Sequence, residues 1–195
     1  MERVLDRGAV FAGWVGVGMA MVIAISFELV VAVQSLVFLV ALPAGLLIGF
    51  YANARSERRR PWWRVVVNAL YAGLLTGLTL AVLYGALRLL FIYADTGYRD
   101  ATQGGPLVCQ TGPECTYLRY VDQAAKGIGP DLAAAGVTDA ASFEQYMLRE
   151  QLNAALILTG LVTGGAIFGG AAYGLLGPAA KTEGAGEEAA AAGPA

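Results

Sequence analysis

Arg55–Arg64, RSERRRPWWR, decides how this chain folds, because it places five of the thirteen basic residues between two long apolar runs. Arg55, Arg58, Arg59, Arg60 and Arg64 read as a cytoplasmic turn, residues 53–64, between membrane helices, since arginines that flank spans stay on the cytoplasmic side. Trp62 and Trp63 carry amphipathic rings of the kind that settle at headgroup level. The same arginines also suit contact with anionic headgroups, each contributing on the order of 1 kcal/mol near a charged leaflet.

Composition supports a membrane reading of the runs on either side. The chain is 57% hydrophobic and only 14% charged, against about 45–50% and about 25% in ordinary soluble domains. A net charge of -2 argues against a nucleic-acid binder, and the absence of histidine removes the commonest general base and metal ligand. Walker, dinucleotide, nucleophile-elbow and zinc-protease patterns are missing, so no catalytic residue, metal or cofactor is expected.

Upstream of the turn, the run from Gly8 to Tyr51 is long enough for two spans and is read as an anchor rather than a cleaved leader. Polarity rises within it only at Ser26-Phe27-Glu28, which predicts a tight hairpin between helices of about 8–26 and 29–52. Pro43 falls inside the second helix, where it removes a backbone donor. Downstream, residues 65–94 form a third span with Tyr93 as its outer anchor.

Residues 95–150 change character, with eight acidic residues against four basic and no spanning run. They are expected to form a mostly helical or irregular extracytoplasmic domain between the third and fourth spans. Residues 130–136 suggest a short helix, and Thr138 or Asp139 a cap for a longer one that runs into the fourth span, residues 151–177. The tail, residues 178–195, is small, acidic and expected to be disordered in the cytoplasm. The predicted fold is an all-α membrane protein of four transmembrane helices, both termini inside. A bias to Ala, Gly and Arg, with no eukaryotic targeting signal, points to a bacterial inner membrane.

Three sets of residues stand out as candidate sites. Small residues recur at every fourth position, Ala69, Gly73, Gly77, Ala81 and Gly85 in the third span, Gly160 and Gly164 in one row of the fourth and Gly165 and Gly169 in another. Such rows let backbones approach closely, either between spans three and four or across a homodimer seam, with Thr76, Thr79, Thr159 and Thr163 available to add hydrogen bonds. Glu28 and Arg88 are the charges lying well inside apolar runs. Tyr51 back to Glu28 is twenty-three rises and Arg64 to Arg88 twenty-four, each about 35 Å, which puts both at one depth near the outer interface. An ion pair, or snorkelling, is one reading; a proton or cation site at Glu28 is the sharper one.

Cys109 and Cys115 enclose a turn-forming Gly112-Pro113 and are expected to form a structural disulfide, with thiol exchange as the rival. The four-span layout with a large outer loop is similar to that of the tetraspanins, but the Cys-Cys-Gly signature of that family is missing and no family is assigned. Residues 127–148 are superficially similar to part of a c-type cytochrome; without C-x-x-C-H or any histidine, no haem is expected. Three functions follow. The leading one is a non-enzymatic accessory subunit in the bilayer that presents its outer domain to a partner or a larger complex. A small transporter or channel using Glu28, with Gln34, Asn68 and the threonines, comes next, and a thiol oxidoreductase using Cys109 and Cys115 third.

Overall fold

The computed structural model describes residues 5–30, 34–56, 61–127 and 130–177. Arg58, Arg59, Arg60 and the tail 178–195 lie outside the described residues. Among the described residues helices are the only regular secondary structure, and four of them are long and apolar enough to cross a membrane. They are α1 (Arg7–Ile25, extended by a π-helical turn, Ser26–Val30), α2 (Gln34–Ala54), α3 (Trp62–Tyr93) and α5 (Ala140–Leu176); α4 (Pro113–Ala125) is shorter and polar on one face.

Within their membrane-length stretches the four long helices are apolar all round. Trp14, Val22, Leu39, Val82 and Phe168 face outward, one or two from each long helix, while alanines and glycines fill the inside. Ala12, Ala20, Ala41, Ala52, Ala69, Ala72 and Ala166 are fully buried. Small residues inside and large ones outside is the inverse of a water-soluble bundle, and it lets the backbones close on one another.

The helix boundaries correct the expected ones. Ser26-Phe27-Glu28 is not the hairpin: the helix continues through it to Val30 as a π turn. Polarity marked those residues as a turn because an isolated acid in an apolar run reads as solvent-exposed, yet Glu28 is buried. The second helix begins at Gln34 rather than 29 and the third at Trp62 rather than 65. No helix forms over residues 131–136, which make one turn that Gly136 closes in the left-handed region.

α5 starts within the segment assigned to the outer loop. Asp139 caps it: its carboxylate accepts from the Ser142 N–H at 2.7 Å, while Ser142 Oγ accepts from the Asp139 N–H at 3.1 Å. Satisfying two free donors reciprocally fixes the start of the helix. Those bonds hold the Asp139 carboxyl below the ordinary aspartate range. At 37 residues α5 is about 55 Å long, longer than a bilayer of about 40–45 Å with its headgroups. Its first turns therefore belong to the segment that caps the bundle.

The two ends of the bundle differ. At one, Arg55 lies over the Tyr51 ring at 5.3 Å and Arg64 over Trp63 at 5.4 Å. Asn68 donates to Asp6 at 2.7 Å, buried Asn53 donates to the Val65 carbonyl at 3.2 Å, and Gly174 of α5 sits against the Trp62 ring. At the other end α4 and the segment that follows it pack over α3 and α5 around a small core of Ile92, Leu132, Val137, Phe143 and Met147. Gly112 takes φ +104°, which admits glycine, and hands the chain to Pro113 at the first turn of α4.

Candidate functional site

α1 and α3 bring Glu28 and Arg88 together at the capped end. Arg88 Nε lies 3.9 Å from Glu28 Oε2, with the two side chains 18% and 2% exposed. An opposite charge stabilises a carboxylate this buried, and the π turn carries it to face α3. The guanidinium also lies over the Tyr84 ring at 5.9 Å, and Tyr84 meets Phe38 edge-on at 5.7 Å. Neither Glu28 Oε1 nor Arg88 Nε has a hydrogen-bond partner among the described residues.

Arg88 lines two cavities. The first, about 530 Å³ and open along one side, is walled by Leu90, Phe91 and Ile92 of α3, by Asp95, Thr96 and Tyr98 of the loop, and by Thr116, Arg119 and Tyr120 of α4. The second, about 340 Å³, lies between Phe38, Tyr84, Tyr146, Glu150 and Gln151. Arg119 donates through Nη2 to Asp95 at 3.0 Å and to the Tyr98 carbonyl at 3.1 Å. Its Nε, buried, has no hydrogen-bond partner among the described residues. Arg99 and Lys126 hold Asp122 at 2.5 and 2.9 Å, and Lys126 foremost keeps that carboxyl below the ordinary range.

The chain has been compared with protein-family models, with curated proteins and with solved structures. None matches. What the site does is argued from its geometry. It offers guanidinium donors and aromatic hydroxyls beside apolar walls, and among the described residues no group of three His, Cys, Asp or Glu is placed to hold a metal. Glu28 lines neither cavity, and the Thr76 and Thr79 hydroxyls donate to carbonyls of their own helix at 2.8 and 2.7 Å. The Gln34 side chain lies outside the described residues.

The small-residue rows divide between partners. Gly73 and Gly77 meet α5, where an added Cβ would lie 2.6 Å from Ala166 Cβ and 3.1 Å from Thr159 Cα, and Ala81 is buried. Gly165 and Gly169 do not face α3. They face α2: Gly165 lies against the backbone of Leu42, Gly45 and Leu46 and Gly169 against that of Leu46, while Gly45 and Gly49 lie in turn against the backbone of Val162 and Ala166. A Cβ added on Gly85, Gly160 or Gly164 would meet nothing within 4 Å among the described residues. Trp62, Trp63 and Tyr93 are each about half exposed, at opposite ends of α3.

Cys109 and Cys115 form a disulfide that ties the loop to the first turn of α4. Gly97 lies against Cys109 Sγ within the loop, and the Thr116 hydroxyl donates to the Ile92 carbonyl at 3.1 Å, so the first turn of α4 is fastened to the end of α3 as well. For so small a ring the chain-entropy model gives about 2 kcal/mol. Replacing both cysteines by serine should therefore speed amide exchange over residues 95–125 while exchange in α2 and α3 stays unchanged. Equal acceleration in the bundle would mean that the cap and bundle unfold as one.

Proposed function

We propose that this chain is a non-enzymatic multi-pass membrane protein, an accessory subunit that holds a small disulfide-braced domain against the outer face of a cell membrane, bacterial inner membrane being the compartment its composition favours. The observation that carries the reading is the mounting of that domain. α5 runs unbroken from the cap into the bundle, and the Glu28–Arg88 pair lies directly beneath. A segment so anchored is suited to presenting a surface of fixed orientation.

The charge distribution supports the orientation. Arg55 and Arg64 sit at the end that also holds Asp6 and Gly174, so the start of α1 and the last turns of α5 share the basic, cytoplasmic side. The acidic segment lies at the other end. Exposed side chains on the cap supply the partner surface: Val108 is 98% exposed beside the disulfide, and Tyr98 is 72% exposed.

The test is migration of the tagged chain extracted in mild detergent. The accessory-subunit reading expects a heteromeric assembly that Val108→Asp together with Tyr98→Ala breaks, whereas Phe168→Ala on α5 leaves it intact. A lone chain in every case, cap variants included, would contradict it. The transporter alternative is less favoured, because Glu28 lines neither cavity and the Thr76 and Thr79 hydroxyls are bonded within their own helix.

A further inference from the structure

We infer that the larger cavity at the capped end is a binding site for an anionic phospholipid, its phosphate on Arg88 and Arg119 and one acyl chain along Leu90 and Phe91. The proposal rests on the bilayer-spanning reading above. The cavity's position carries it first. It begins at the last two turns of α3, beside Tyr93, the level at which an outer headgroup lies if α3 spans from Trp62 to Tyr93. Its α3 wall is apolar and partly open: Leu90 and Phe91 are each at least half exposed, whereas the opposite wall is the polar face of α4 and the loop. A space with one hydrocarbon wall and one polar wall at that level fits an amphiphile.

Donors without acceptors decide the headgroup. The Arg88 and Arg119 guanidinium groups both line this cavity, and of their N–H groups only Arg119 Nη2 donates a hydrogen bond to a described residue, while Arg88 Nε is turned toward Glu28. Asp95 is its single lining acid, and it is already engaged by Arg119 Nη2 and by the Gly97 N–H at 2.7 Å. Glu28 balances Arg88 in charge but approaches it from α1 and does not line the space. What remains open is N–H donation, and guanidinium donors take phosphate oxygens in short charge-assisted bonds. A free phosphate would satisfy the donors but leave the apolar wall uncovered, so the lipid is the source.

The experiment is native mass spectrometry of the full chain in detergent, stripped of lipid and titrated with phosphatidylglycerol, phosphatidylcholine or inorganic phosphate. Phosphatidylglycerol should bind several-fold more tightly than phosphatidylcholine, and phosphate alone should not bind. Arg119→Gln should weaken phosphatidylglycerol roughly tenfold. Because Arg119 also braces Asp95, Thr96→Asp is the second variant: Thr96 is exposed, and the added charge at the mouth should weaken phosphatidylglycerol alone, with Thr96→Asn unchanged. Equal retention of the two lipids, indifference to both variants, or phosphate binding as tightly as lipid would each overturn the site while leaving the bilayer reading standing. A chain that partitions into water and retains no lipid would instead sink the bilayer reading itself.

Discussion

Gly45→Leu or Gly49→Leu is expected to abolish recovery of the folded chain from detergent. A Cβ built on Gly49 would stand 2.5 Å from Ala166 Cα, and one on Gly45 2.9 Å from Val162 Cα; in return, one on Gly165 would stand 2.5 Å from the Leu42 carbonyl oxygen. Every obstacle is backbone, so no rotamer change relieves the clash, and α2 and α5 must separate. Overpacking in a close-packed interior typically costs about 1–3 kcal/mol per site, and Gly49→Ala should fall there. A leucine, whose remaining carbons have nowhere to go, exceeds it. Gly160→Leu and Gly164→Leu should stay within about 0.5 kcal/mol, since open space surrounds both. Thermal unfolding with size-exclusion chromatography checks the set. Similar losses at Gly160 and Gly49 would mean that the α2–α5 crossing is not what holds the bundle.

The second large effect falls on Glu28 and Arg88, and it should be asymmetric. Arg88→Gln leaves a carboxylate that is 2% exposed without its cation, and removing one partner of a buried pair typically costs about 3–5 kcal/mol. Glu28→Gln should cost clearly less, because the guanidinium is 18% exposed and keeps the Tyr84 ring beneath it. The double variant should lose less than the sum of the two, the excess measuring the coupling. Strictly additive losses, or a larger loss for Glu28→Gln, would remove the pair as the link between α1 and α3. Should Glu28→Gln leave stability intact yet abolish a proton-dependent flux in vesicles, the transporter reading would take over.

Much of the architecture was legible because bilayer-length apolar runs carry it. Four long helices follow from run length, and the short spacing of Cys109 and Cys115 around Gly112-Pro113 points to a local bridge. What misled was polarity read without a partner. Glu28 looked like a turn residue because its counter-charge is sixty positions away, on another helix. The small-residue rows failed differently. Residues 160–170 put glycines on more than one face of α5, and spacing cannot say which face meets α3 and which meets α2. Gly45 and Gly49 carry the same four-residue spacing in α2, where Pro43 dominates the local pattern. Arg119, Asp95 and Tyr120 of the cavity left no mark, since contacts between a loop and a helix end have no period.

The central claim, that α1, α2, α3 and α5 span a bilayer with the cap on the face opposite the basic turn, is tested most directly by thiol labelling. The chain has only Cys109 and Cys115 as thiols, both in the cap. On intact cells treated with a reductant, a membrane-impermeant maleimide should modify the half-buried Cys109. In a variant with both cysteines replaced by serine and Ser56→Cys added at the basic end, labelling should wait for lysis. Protection of Cys109 until lysis, with Ser56→Cys labelled on intact cells, would contradict the account.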